Sequence, residues 1–510
     1  VAYVIESLLH TVLASSLYNE ILSGRTNFHY FWGGEFGQIE STPVNSFNYE
    51  LSSRNKMLAT KKIAPSDISL VVPRVNWSSG TTYDFYDDNY ALYPSYSAAT
   101  ELDTANYFVV TSSYNVYKCL DNNGNSPSVI EPTSTSTSRF TTADNYIWKF
   151  MYNIPLSSVN KFVNNNFIPV QTSVQDAFYS SGAITSTTIN NMGSGYTEIS
   201  LSVVGDGTGA ILTPVLVSGQ LSNVIISNTG TGYTYATIVV TGDGGVVAVV
   251  TANLSVGDMS SLQSNVELLA VPGTIEKIPV LNSGSGYTVA TVQITGDGTG
   301  ATAIAIISLT TISKIIITNP GQGYTYADCI IVGNGSGASL RSIISPYGGH
   351  GSNAVKELCA SRIMFYSTIS TEKNQGFTID NTFSQNGLIR DVRVFDSTDN
   401  FSGISGSALY VFTLTGSSYQ LNDIFIDPVS KGKYQIFAIS GNQVLVQNFH
   451  NVVPVINATL NNQTRAGTNS ITTITSPTID KFSGDFMYAN DTLVSESTDQ
   501  IITFKTSIKF

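Results

Sequence analysis

Asn145-Tyr146-Ile147-Trp148-Lys149-Phe150-Met151-Tyr152-Asn153-Ile154-Pro155 is the stretch that decides the fold. Tyr146, Trp148, Phe150, Tyr152 and Ile154 share one side of a two-residue period, and Ile147, Lys149, Met151 and Asn153 share the other. Such a period, loaded with aromatics and stopped by a proline, predicts a β-strand. Burial of the five large side chains contributes roughly 8–15 kcal/mol in gross terms, at about 1.5–3 kcal/mol each, which makes this a core strand. Tyr114 to Leu120, closed by the turn Asp121 to Gly124, predicts its neighbour.

Outward from that pair, the composition sets bounds. A chain of 510 residues is too long for one core, and two to four domains are expected. Only 12% of residues are charged, and β-branched, aromatic and small polar residues fill the rest, so the expected class is mainly β. A net charge of −12 with no basic run argues against nucleic acid as a partner. Cys119, Cys329 and Cys359 have no metal-ligand spacing and are odd in number. They predict buried free thiols in a reducing compartment, with neither a disulfide framework nor a metal. No run is long and apolar enough to predict a membrane span or a signal peptide. A first residue of Val predicts an incomplete or processed N-terminus.

From Val4 to Leu22, the residues Ile5, Leu8, Leu9, Val12, Leu13, Leu17 and Ile21 recur at three and four, which predicts an amphipathic helix stopped by Ser23-Gly24. A tyrosine-rich loop follows Val71 to Trp77. Tyr83, Phe85, Tyr86, Tyr90, Tyr93 and Tyr96 alternate there with Asp84, Asp87 and Asp88. Such a loop suits a sugar platform, a calcium site or a protein contact; packing on its own domain competes with a protein contact through Tyr83, Tyr86, Tyr90 and Tyr93, because tyrosine is enriched at interface centres. Calcium is disfavoured, since the aspartates lack a ligand loop's spacing and its turn glycine.

Internal repeats come next. Gly193-Ser194-Gly195-Tyr196-Thr197 recurs at Gly230, Gly232 and Tyr233, at Gly284, Gly286 and Tyr287, and at Gly321, Gly323 and Tyr324. The steps are 37, 54 and 37 residues, so the copies form two pairs around an insertion. Twelve residues after each first glycine lies a second turn: Gly205-Asp206-Gly207, Gly242-Asp243-Gly244, Gly296-Asp297-Gly298 and Gly333-Asn334-Gly335. Each copy predicts about three short strands, with glycines supplying positive φ and the tyrosine lying over a neighbouring strand. The turns resemble neither a phosphate loop, which needs a following Lys-Ser/Thr, nor the nine-residue calcium repeats, so they are expected to be structural.

Past the array, His350 near Ser352 has no nucleophile elbow around it and is expected to be a loop histidine. Strands at Ala408–Leu414, Asp423–Ile426, Tyr434–Ile439 and Val444–Gln447 predict a small barrel or sandwich, and Gln500–Phe510 predicts a docked terminal strand.

Four stretches carry a resemblance to a known family. They are the helix end Leu17 to Gly24; Val72-Pro73-Arg74-Val75-Asn76-Trp77; the strand pair Val116 to Leu120 and Asp144 to Pro155; and the close Ser483 to Tyr488, Ser497 to Gln500 and Ile508 to Phe510. In order and spacing the chain resembles the baseplate wedge proteins of T-even-type contractile-tailed phages, the gene product 8 family. The resemblance covers about residues 1–180, 346–395 and 480–510 and leaves out two inserted modules. It implies a β-sandwich core, a homodimer held with neighbouring wedge subunits, a place in the virion tail after synthesis in the host cytoplasm, and no enzymatic activity or cofactor. The expected domain map is residues 1–183 for the first part of the core, 184–345 for the repeat insertion, 346–395 for core continuation, 396–480 for the small β insertion and 481–510 for closing strands. The expected function is a structural joint of the baseplate wedge. The competing expectation is a receptor- or glycan-binding tail adhesin.

Overall fold

A computed structural model describes residues 3–34, 47–90, 97–99, 101–172, 183–205, 207–231, 233, 236–254, 258–369, 382–416, 418–449, 452–495 and 502–510. The protein is mainly β, with 50% of residues in strands and 11% in helices. The chain forms two compact units. One comprises Val1–Ala14, Leu70–Arg362 and Lys509–Phe510, and the other Ser15–Ser69 and Ile363–Ile508. The segments expected to make one wedge core are thus shared between units: residues 70–183 cluster with the repeat array, while residues 363–395 cluster with the small barrel. No helix among the described residues is long and apolar enough to cross a membrane.

In the first unit, an antiparallel sheet runs in the order Phe108–Val110, Asn115–Asp121, Ile147–Asn153, Phe140–Thr141. Trp148 pairs with Cys119 and Phe150 with Tyr117. Tyr146, Trp148, Phe150 and Tyr152 are buried as the alternation requires, but so are Lys149 and Met151 on the other side. Both faces of the strand are covered, and one of them carries a charge.

The repeats of this unit build two modules by a pairing that nests rather than stacks. In the first module the outermost strands Ile184–Asn191 and Val249–Leu254 pair with each other, then Ile199–Gly205 with Ala236–Gly242, then Thr208–Val217 with Gln220–Thr231. The second repeats the scheme with Val280–Ser285 on Ser336–Leu340, Ala290–Gly296 on Ala327–Gly333, and Thr299–Ser308 on Thr311–Gln322. Each copy contributes three strands, and each strand has a partner in the other copy of its pair; in the first module Ala236–Gly242 also meets Val249–Leu254 of its own copy through Thr237 and Thr251. The helix Asp258–Leu268 lies between the modules in sequence, and Ile275–Lys277 pairs with Ile343–Ile344 around the second one.

The tyrosines explain the glycine spacing. Tyr196 lies against the Gly242-Asp243-Gly244 turn of the paired copy, where a Cβ on Gly244 would sit 2.5 Å from the ring. Tyr287 and Tyr324 lie in the same way on Gly335 and Gly298. Gly193, Gly195, Gly230, Gly284, Gly286, Gly321 and Gly323 have positive φ. Gly232 is outside the described residues, while Tyr233 is buried. The turn acids close the same joint. Asp243 accepts from the backbone N–H groups of Thr197 and Glu198 and from the Thr197 hydroxyl. Asp297 accepts from Thr325 and Tyr326, and Asn334 from Thr288 and Val289. Asn334 serves as well as an aspartate because its amide nitrogen donates to the Thr288 hydroxyl, reversing the bond that Thr197 and Thr325 donate.

In the second unit, a five-stranded antiparallel sheet runs Ser405–Ser407, Met57–Lys62, Phe28–Gly33, Thr382–Arg390, Asp485–Ser495. Phe31, Met57, Ile389, Val392 and Ala489 fill one core, and Tyr30, Trp32 and Phe504 of the terminal strand Ile502–Lys509 meet nearby. The small insertion is a closed six-stranded barrel around Phe412, Phe425, Tyr434, Ile436 and Val446.

The N-terminal helix spans Tyr3–Ser23. Among its described side chains, from Leu9 on, Thr11, Ala14, Tyr18 and Ile21 are buried while Leu9, Val12 and Leu13 are exposed, so over this stretch the buried face is rotated from the apolar stripe expected. Ala14 and Thr11 admit closer packing than the leucines beside them.

Candidate functional site

The aromatic loop covers a buried ionic cluster of the first unit. At its centre, Lys118 Nζ meets Glu357 Oε2 at 2.9 Å, with the side chains 0% and 2% exposed. The Tyr86 ring lies over the ammonium at 4.0 Å and meets His350 edge-on at 4.9 Å. Glu357 stands in the short helix Ala354–Glu357, where Asn353 accepts from the Lys356 N–H as N-cap. Glu357 Oε1 accepts in return from the Gly351 and Asn353 N–H groups at 2.9 and 3.1 Å. This is a reciprocal arrangement at a helix start of the kind that satisfies orphan donors. The Tyr107 hydroxyl donates to the Glu357 carbonyl at 2.6 Å.

A second carboxylate, Glu276, is held by Arg139 Nη1 at 3.0 Å and by the Thr274 hydroxyl. His350 lies between the two acids. Its Nδ1 is 3.6 Å from Glu357 and its Nε2 is 3.8 Å from Glu276, and neither nitrogen is hydrogen-bonded. Burial opposes the charge of Glu357, yet Lys118 and His350 together outweigh it and hold the carboxyl down at about 2. Burial and the nearby Lys118 both push His350 below its ordinary value. Burial also lowers Lys149, whose ammonium donates to the Thr137 carbonyl.

Tyr83, Tyr86 and Tyr90, three of the four candidate contact tyrosines, are part of this interior, and the expectation that these three meet a partner is corrected. Tyr83, Tyr86 and Tyr90 are 2%, 6% and 5% exposed. Tyr83 packs edge-on to Trp148, its oxygen accepting from the Ser78 N–H, and the Tyr90 hydroxyl donates to the Phe85 carbonyl. These rings have no surface left to offer. Tyr93 lies outside the described residues. The loop's aspartates are also taken. Asp84 accepts from the Ser97 and Asn106 backbones, and Asp87 receives a two-pronged bond from Arg341, which also reaches Asp88. Lys277 reaches Asp121 at 3.0 Å and covers the Phe85 ring.

Sequence reasoning placed His350 in a loop and did not pair it with the acids; it is 6% exposed. Glu276, Arg139, Lys149 and Glu357 were not singled out either. One further repeated residue was legible: Asn191, Asn228, Asn282 and Asn319 stand two places before each repeat glycine, and each accepts from that glycine's N–H. The three thiols are free, and among the described residues no group of three or more His, Cys, Asp or Glu is placed to hold a metal ion. No family model matches the chain, and no curated protein matches it.

Proposed function

We propose that the chain is a structural subunit of a phage tail baseplate wedge, a joint that pairs with a second copy of itself and with neighbouring wedge proteins in the virion. One observation carries the reading. The inner stretches of the resemblance lie together in the first unit: Asn76 bridges Val110, the Trp77 N–H donates to the Val110 carbonyl, and Val116–Leu120 pairs with the strand Ile147–Asn153 beside it. In a family recognised by fold and not by chemistry, likeness should fall on residues that build the core, and Val116, Tyr117, Trp148 and Phe150 are all buried. The small polar surface left by 12% charged residues supports contacts of low desolvation cost and weak salt dependence. Co-expression with the other tail proteins of the same virion should give a complex that survives roughly molar salt, where the Debye length is about 3 Å. A monomer that captures none of them speaks against the reading.

A second reading, a glycan-binding tail adhesin, draws on an open groove of about 440 Å³ lined by Arg74, Asn76, Trp77, Tyr114 and Glu131. Tyr114 holds a φ of +59°, a conformation that non-glycine residues keep only when their surroundings impose it. Binding of the protein to host cells that is abolished by Trp77→Ala would put this reading first.

A further inference from the structure

We propose that the pocket between Arg139, Lys149 and His350 is a binding site for a small organic monoanion, a carboxylate with a short apolar tail. The pocket has a volume of about 180 Å³. One water needs roughly 10–15 Å³ by the same measure, so the space admits a molecule on the order of ten heavy atoms.

Its polar wall is short of acceptors. Lys149 is 4% exposed and, among the described residues, its one hydrogen-bond partner is the Thr137 carbonyl. The neutral, buried His350 has one N–H to give, and neither of its nitrogens is hydrogen-bonded, with Glu357 and Glu276 at 3.6 and 3.8 Å. Arg139 gives one nitrogen to Glu276. Buried donors left without partners cost free energy, and a buried ammonium without a counter-charge costs most.

The charge balance names the ligand class. With Lys149 protonated and His350 neutral, Lys118, Lys149 and Arg139 face Glu276 and Glu357, which leaves one positive charge uncompensated. A monoanion neutralises that charge, whereas a dianion such as phosphate would be repelled by the two glutamates. Leu120, Val271 and Pro320 line the rest of the pocket and suit an alkyl tail. Bound there, the carboxylate accepts from Lys149 and His350 and links the strand Ile147–Asn153 to the loop after the repeats.

The test is calorimetric titration of the full chain with sodium butyrate, with sodium chloride and inorganic phosphate at pH 8 as equal-ionic-strength controls. Butyrate should bind saturably, one per chain, and raise the melting temperature, while the controls should not. Lys149→Met should weaken binding by about tenfold to a hundredfold, the range expected when a hydrogen bond to a charged group is removed. Ala270→Phe, at the half-buried wall of the pocket, keeps every charge and should block binding even if Lys149→Met fails to fold. Absence of saturable butyrate binding to the unaltered protein overturns the proposal. So does unchanged binding to Ala270→Phe, or phosphate binding as tight as butyrate binding.

Discussion

Lys118 and Glu357 stand 239 residues apart in sequence and meet at 2.9 Å with both side chains out of solvent. The pair is a fixed point between the sheet that precedes the repeats and the helix that follows them. Removing one partner leaves the other charged and buried, which costs about 3–5 kcal/mol. Lys118→Met should therefore destabilise the first unit by about that amount in urea unfolding. Adding Glu357→Gln should recover most of the loss, because the amide still accepts from Gly351 and Asn353. A double variant no more stable than the single one would show that the pair's attraction is not what matters.

Both units should lose stability as pH falls below 6.5, and the first should go on losing it towards 2. Glu357 has a folded pKa of about 2 against an ordinary 4.5, so its contribution is complete above about 4.5 and is lost as pH falls towards 2. His29 in the second unit behaves as a buried base. Burial lowers it from 6.5 to about 4, only partly offset by the Gly403 carbonyl. Because the unfolded chain takes up that proton first, stability falls as pH drops from 6.5 and levels off near 4. Hydrogen exchange followed peptide by peptide should show an upper limb around His29 in the second unit and around His350 in the first, and a lower limb around Glu357. His29→Phe should flatten the upper limb in the second unit and leave that of the first; an unchanged limb in the second unit would assign it elsewhere.

Much of this was legible from local pattern. The Trp148 strand and the three strands per repeat copy follow from period and turn chemistry, and the first repeat glycines have the expected positive φ. What escaped is non-local. An alternating strand gives no sign that its second side is covered, so nothing in the pattern marks Lys149 as buried. The same local pattern serves stacked and nested copies alike, and only the partner of each strand tells them apart. The burial of Tyr86 depends on His350, far along the chain, and that of Tyr83 on Trp148.

One turn hid itself for a different reason. The two modules fold back at equivalent points, through Ser218-Gly219 and through Leu309-Thr310, with positive φ at both residues of each pair. That is the hairpin geometry that favours Asn-Gly, and Leu-Thr carries no such signal. Left-handed backbone costs about 1–2 kcal/mol per non-glycine residue, and Leu309 is 93% exposed, so packing does not repay it. Leu309→Asn with Thr310→Gly should stabilise the protein by about 1–2 kcal/mol, measured by thermal and urea unfolding. A loss of stability would mean that the Leu309 side chain has a role outside this chain's own fold.

The two modules should differ on excision. Among the described residues, the side-chain hydrogen bonds of residues 184–254 stay within that stretch. The second module is tied down through Arg341 to Asp87 and Asp88, with Glu276 bound to Arg139 and Lys277 to Asp121 at its base. Replacing residues 184–254 by a Gly-Ser linker should leave a cooperative melt, whereas replacing 184–344 should not. Equal tolerance of both deletions would remove the ionic cluster from the account of the core.

The most direct measurement of the proposed role is an electron cryomicroscopy map of the virion tail with this chain located by its six-stranded barrel and its nested repeat modules. The result expected is density for the chain in the baseplate wedges, two copies in contact with each other and with neighbouring wedge proteins. Density at the tip of a tail fibre, or no density for the chain in the particle, would contradict it.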